Sequence, residues 1–148
     1  LHQLMEAVAI ELAREVARDG EGAETLVEVV VEGAASREDA RVAARTVSSS
    51  PLVKTMVTGR DPNWGRLLMA VGRSGAEVVE QTISVWIGDH CTLERGTPTD
   101  VDLAEVSKAM DSDEVQIRID LGRGDDSAIA WGCDLTTEYV HINADYTT

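Results

Sequence analysis

Apolar positions along the chain change their period several times, and each change marks an element. Leu1, Leu4, Val8, Leu12 and Val16 fall on one face at helical spacing, so the chain opens in an amphipathic helix running to about Arg18. Asp19-Gly20-Glu21-Gly22 stops it. Val27, Val29 and Val31 then alternate with Glu28 and Glu32, the period of a half-buried strand, which Gly33 ends. Ser36-Arg37-Glu38-Asp39 has the form of a capping box with Asp in its last position. The helix behind it turns Ala40, Ala43, Ala44 and Val47 inward.

Ser50-Pro51 ends that helix, because a residue before proline is pushed out of the α region. Leu52 to Val57 is a short, largely apolar, β-branched stretch. Thr58-Gly59-Arg60-Asp61-Pro62-Asn63 follows as a turn built from residues suited to one. Trp64 is costly to leave in a solvated loop and is expected to cover something. A loop this specified is either a working surface or a rigid corner between elements. Leu67 to Val71 is predicted as a short buried helix that stops at Gly72-Arg73-Ser74-Gly75.

Further along, Ile83, Val85 and Ile87 alternate with Thr82, Ser84 and Trp86, and Gly88-Asp89 fits a two-residue hairpin turn. Cys91 and Leu93 continue on the return strand. Thr99 or Asp100 is expected to cap a helix with Leu103, Val106 and Met110 inward. Val115, Ile117, Ile119 and Leu121 form the clearest strand, with Gln116, Arg118 and Asp120 outward. Gly122-Arg123-Gly124-Asp125-Asp126 turns into a last strand, Ala128 to Trp131, before a short helix containing Tyr139 and Ile142. Helices and strands mix without regular βαβ alternation. The expectation is a layered α/β fold with a mixed or antiparallel sheet, in a single domain over residues 1–148.

Composition narrows the function classes. The chain has no Phe, so Val, Ile, Leu and Ala must fill the core. Its formal charge of −14 argues against nucleic acid and anionic membrane as partners, since both demand clustered Lys and Arg. A solvated acidic surface explains most of that charge, and a cationic small substrate stays compatible with it. Cys91 and Cys133, the only two cysteines, supply neither a disulfide framework nor a zinc site. No secretory leader pattern is present, and a reduced, cytoplasmic setting is the default. The chain opens inside a helix without Met or a capping residue, as a piece of a longer polypeptide would.

Several segments are candidates for chemistry. A carboxylate in Asp19-Gly20-Glu21-Gly22 could pair with a substrate ammonium, although a Gly-rich helix end needs no ligand to account for it. Gly122-Arg123-Gly124 lacks the register of a phosphate loop and reads as a turn. Cys133 would need a base, and His141 is the only histidine near it in sequence; a structural thiol is the simpler account. The tail, Ile142-Asn143-Ala144-Asp145-Tyr146-Thr147-Thr148, is rich in hydrogen-bonding groups and suits docking into a site.

Taken in order, Asp19-Gly20-Glu21-Gly22-Ala23, Ser50-Pro51-Leu52-Val53-Lys54-Thr55, Asp61-Pro62-Asn63-Trp64-Gly65-Arg66, Trp131-Gly132-Cys133-Asp134-Leu135 and the tail closely resemble the bifunctional ornithine acetyltransferase family, also called glutamate N-acetyltransferase. The resemblance spans essentially the whole chain. It implies an N-terminal-nucleophile-like enzyme whose precursor cleaves itself into an α and a β chain. A Thr at the new β-chain N-terminus takes acetyl from N-acetylornithine and passes it to glutamate through an acyl-enzyme. No added cofactor is implied.

By that resemblance this segment is the C-terminal part of the β chain. The family's Ala-Thr-Met-Leu-like cleavage run is absent from it, so nucleophile and oxyanion hole would lie upstream or on the α chain. Glu21 matches the family's substrate-binding Glu and would pair with the α- or the δ-ammonium of ornithine. Asn143 and Thr148 match the tail residues that contact substrate, and a C-terminal extension or deletion at Thr148 is expected to damage binding. Asp61, Asn63 and Arg66 would brace the site wall. The implied partners are the α chain, the rest of the β chain in an α2β2 assembly, and the ligands N-acetylornithine, ornithine, glutamate and N-acetylglutamate. The alternatives are a self-processing amidohydrolase of the same superfamily, or a structural piece inactive on its own.

Overall fold

A computed structural model describes residues 1–146. Its strands are β1 (Leu26–Ala34), β2 (Ser84–Ile87), β3 (His90–Glu94), β4 (Thr97–Pro98), β5 (Glu114–Asp120) and β6 (Asp126–Cys133). They form a six-stranded sheet in the order β4-β3-β2-β5-β1-β6. Only the β1–β5 pair is parallel, so the sheet is mixed, as the irregular order of elements in the sequence predicts. The helices are α1 (His2–Arg18), α2 (Arg37–Ser48), α3 (Pro51–Thr58), α4 (Trp64–Gly72), α5 (Leu103–Ala109) and α6 (Thr137–Asp145).

The β-branched alternation of β1 and β5 gives the sheet one buried face. Val27, Val29, Val31, Val115, Ile117 and Ile119 point into it and are essentially inaccessible. α2 lies over β1 and β6. It brings Ala40, Ala43, Ala44 and Val47 to full burial, and the three alanines let its backbone come close to the sheet. Ser36 caps this helix, accepting from the Asp39 N–H at 3.1 Å as the capping box requires. α3 and α4 complete the layer with Val53, Met56, Val57, Leu67, Ala70 and Val71, and Trp64 packs against the same core.

The opposite face of the sheet is polar. Glu28 accepts from Gln116 Nε2 at 2.8 Å and from Trp131 Nε1 at 2.8 Å. Arg118 pairs with Glu32 at 2.7 Å and stacks 3.8 Å from the ring centroid of Trp86. α1 crosses this face on two arginines: the Arg14 guanidinium meets Glu28 at 2.7 Å and Glu114 at 2.7 Å, and Arg18 meets Glu114 at 3.4 Å. The hydrogen bond to Glu114 raises the Arg14 pKa above its ordinary value, against the opposing effect of burial.

Four local expectations need correction. Leu52 to Val57 is helical: Pro51 sits at the first turn, where its missing N–H costs nothing, and Val53, Met56 and Val57 share the inward face. Gly33 does not end β1. The strand runs on to Ala34 through an irregularity that Gly33 makes possible at φ +63°. The cap of α5 is Asp102, which accepts from the Ala104 N–H at 2.9 Å, in place of Thr99 or Asp100. Leu103 consequently faces outward, 53% exposed. The apolar face of α1 is open as well, with Leu4, Val8, Leu12 and Val16 exposed. Among the described residues no helix is long and apolar enough to cross a membrane.

Candidate functional site

α1 stops at Arg18, and residues 19–25 must turn back at once into the first buried strand. Two glycines make the turn possible. A side chain at Gly20 would place its Cβ 2.5 Å from Cys133 Sγ. Gly22 stands at φ +67°, and a Cβ there would meet the Tyr139 backbone nitrogen at 2.6 Å. Glu21 lies between them on the open surface. The loop is therefore tight beneath Glu21 and free above it.

The walls of this turn come from the far end of the chain. Asp134 follows β6 and is buried at 3% exposure. Its Oδ1 accepts from the backbone N–H groups of Glu24 at 2.9 Å and Thr25 at 3.1 Å. Its Oδ2 accepts from the Thr58 hydroxyl at 3.3 Å. The Asp134 N–H in turn donates to the Thr25 carbonyl at 3.0 Å. Thr136 donates its hydroxyl to the Gly22 carbonyl at 2.6 Å. α6 starts at the next residue and carries Asn143 back over the turn.

Asn143 Nδ2 donates to Glu21 Oε2 at 2.8 Å and to the Tyr139 carbonyl at 2.9 Å. Two sequence candidates separated by 122 positions thus meet in one hydrogen bond. With both Nδ2 hydrogens committed, the Asn143 carbonyl oxygen and the Glu21 carboxylate are the acceptors on offer. Among the described residues no salt bridge engages Glu21. A carboxylate beside an amide oxygen, with no protein cation on it, is chemically suited to an ammonium group. Thr148 lies outside the described residues. An open cleft of ≈ 360 Å³ beside the turn is lined by Glu15, Val16, Arg18 and Asp19.

Asp61, Asn63 and Arg66 are occupied in joining helices. Asn63 caps α4 by accepting from the Arg66 N–H at 3.2 Å, and its amide donates to Asp61 at 3.2 Å. Arg66 Nη1 donates to the Leu52 carbonyl at 3.1 Å and the Thr55 hydroxyl at 3.2 Å, locking α4 to α3. The corner reaches the candidate site through Thr58, the last residue of α3, whose single hydroxyl proton is shared between Asp134 Oδ2 at 3.3 Å and the Leu135 carbonyl at 2.9 Å. Gly122-Arg123-Gly124 is a turn that donates two N–H groups to the Gly33 carbonyl, at 2.7 and 2.9 Å.

Cys133 is half-buried against Gly20, and no hydrogen bond to His141 is found among the described residues. Burial, helped by Glu94, pushes the Cys91 thiol above its usual pKa, which makes it a poorer nucleophile at neutral pH. Asp134, Thr136 and Thr58 carried no role in the sequence. Asp134 sits inside a family-like run, but its contacts span 109 and 110 positions and leave no local pattern.

Comparison with known proteins bears on this arrangement. The chain is 51% identical over 146 residues to the arginine biosynthesis bifunctional protein ArgJ of Dehalococcoides mccartyi, covering 99% of this chain and 36% of that protein. It is 47% identical over 146 residues to the glutamate N-acetyltransferase of Methanosarcina mazei, covering 95% of this chain and 35% of that protein. The crystal structure of arginine biosynthesis bifunctional protein ArgJ from Bacillus halodurans superposes with a TM-score of 0.95 at 43% identity, covering 97% of this chain and 68% of that one. The chain thus spans little more than a third of the length of these curated relatives. The ArgJ family model matches residues 1–148, the whole of the sequence, and with relatives near half identical across it the chain belongs to the ArgJ family.

Proposed function

We propose that this chain is the C-terminal portion of an acetyltransferase that moves acetyl from N-acetylornithine to glutamate, and that Glu21 and Asn143 hold the amino-acid substrate. The observation that carries the proposal is the 2.8 Å bond between Glu21 and Asn143 at the open end of a rigid turn. Substrate ammonium would sit against the carboxylate and the amide oxygen. An amide and a carboxylate in fixed positions discriminate against analogues that lack the matching donors, because such analogues leave these acceptors without a partner in the complex. Thr148 would add a further contact.

The reacting atoms would come from elsewhere in the full-length protein. A Thr hydroxyl, freed as a new N-terminus by self-cleavage, would attack the acetyl carbonyl of N-acetylornithine. Ornithine leaves with the proton, an acetyl ester remains, and the glutamate amine then takes the acetyl and restores the hydroxyl. The α chain and the rest of the β chain would complete the site in an α2β2 particle in the cytoplasm. The names of the relatives, one of them a glutamate N-acetyltransferase, support this chemistry.

The test uses the full-length polypeptide. Intact masses and N-terminal sequencing are expected to give two chains, the larger-numbered one opening with Thr. The same sample is expected to transfer acetyl from N-acetylornithine to glutamate. Release of free acetate without transfer would favour an amidohydrolase instead, and an uncleaved inactive chain would overturn the proposal.

A further inference from the structure

Thr136 occupies the N-cap of α6 yet makes no capping bond. A cap threonine ordinarily accepts from an N–H of the first turn. Here the hydroxyl instead donates across the fold to the Gly22 carbonyl at 2.6 Å. The residue is buried, at 9% exposure, while every residue of α6 from Thr137 to Asp145 is exposed. α6 has no buried side chain to fix where it lies. Its position over the turn rests on polar contacts at two points, Thr136 to Gly22 and Asn143 to Glu21.

Asp134 acts on the other side of the same turn. Its buried carboxylate gathers the N–H groups of Glu24 and Thr25 and the hydroxyl of Thr58. All three donors are neutral, and a carboxylate accepting several such bonds is strongly directional. The connection from β6 to α6 therefore grips the Glu21 turn at Gly22 from one end and at Glu24 and Thr25 from the other. The backbone contact between Gly22 and Tyr139 closes the gap between them.

We propose that Asp134 and Thr136 are positioning residues that form a clamp setting the distance between Glu21 and Asn143, and hence the fit of the substrate ammonium. The clamp rests on the substrate-binding role given above to Glu21 and Asn143. A sacrificed local cap in favour of a long-range bond is the kind of conflict between local and global preference that natural proteins keep at working sites.

The variants are Thr136→Val, which keeps the shape and removes the hydroxyl, Thr136→Ser, which restores it, and Asp134→Asn, which keeps Oδ1 as acceptor. Each is made in the full-length enzyme. Thr136→Val is expected to raise the KM for N-acetylornithine about tenfold, with kcat falling far less, as expected when binding geometry is lost before chemistry. Thr136→Ser should recover most of that loss, and Asp134→Asn should stay closer to the parent than Asp134→Ala. Amide hydrogen exchange should speed up in residues 137–145 of Thr136→Val while α2 and β5 stay protected. An unchanged KM with unchanged exchange in α6 would overturn the clamp, as would a fall in kcat and stability with no KM change. A parent enzyme that transfers no acetyl would sink the acetyltransferase proposal alone. Faster exchange in α6 would then still show that Thr136 holds α6 over the turn, and unaltered exchange would remove the clamp.

Discussion

Glu21 owes its place to its neighbours more than to itself. Gly20 and Gly22 bring the chain within contact of Cys133 and Tyr139, and the carboxylate is carried outward between them to Asn143. Glu21→Gln keeps size and the ability to accept from Asn143 while removing the charge. In the full-length enzyme the KM for N-acetylornithine is expected to rise by roughly tenfold to a hundredfold, since hydrogen bonds to charged groups contribute about 1.5–3 kcal/mol. Self-cleavage should proceed as before. An unchanged KM would remove Glu21 from the binding role. Cys91 offers a check of a different kind. With burial holding its pKa up, less of it is thiolate at pH 8, so iodoacetamide should label it more slowly than the same cysteine in guanidinium. The lag should shrink as pH rises further. Of the candidate site, Glu21 and Asn143 were legible as parts of a Gly-rich helix end and a polar tail, which the family-like runs narrowed to single residues. Thr136 was not, because a threonine ahead of a helix reads as an ordinary cap, and only the fold reveals that its hydroxyl is turned elsewhere.

At the scale of elements, periodicity and capping carried most of the architecture, and the misses have physical causes. α2 was readable because three local signals agree: Ser36 and Asp39 at its start, alanines at inward spacing, and Ser50-Pro51 beyond its end. Replacing Ser36 with Ala is expected to cost about 1 kcal/mol. Urea denaturation should show this as a lower midpoint at constant slope; an unshifted midpoint would mean the cap contributes nothing. α3 was missed because its β-branched residues favour strands as isolated residues, whereas Val53, Met56 and Val57 are buried at i, i+3 and i+4. Packing against the core outweighed propensity there. Gly33 reads as a stop, yet at φ +63° it lets β1 bend and continue to Ala34 beside Asp126. The start of α5 slipped because Thr99, Asp100 and Asp102 are all competent caps, and Thr99 is spent on the Cys91 carbonyl at 2.6 Å.

For the molecule as a whole, the described residues contain a sound core and an incomplete surface. The valine and isoleucine face of the sheet is sealed by α2, α3 and α4. The exposed stripe of α1, by contrast, joins Leu4, Met5, Val8, Ala9 and Leu12 along a groove of ≈ 330 Å³ with almost no polar lining. Among the described residues, the ion pairs between that helix and the sheet come from Arg14 and Arg18. A contiguous apolar strip of this kind is unusual on a free monomer. The Glu21–Asn143 pair is likewise open, with no nucleophile of the proposed type beside it among the described residues. These features lead to one expectation about residues 1–148 expressed by themselves. The core should fold, giving a cooperative transition, while the stripe should bind a hydrophobic dye such as anilinonaphthalene sulfonate. Acetyl transfer should be undetectable. Co-expression with the upstream part that the ArgJ relatives carry beyond the matched region should abolish the dye signal and restore transfer together. Activity from the isolated segment would place the nucleophile inside it and overturn the division of labour proposed here. Loss of dye binding without activity would mean that the stripe and the substrate site are completed by different parts of the protein.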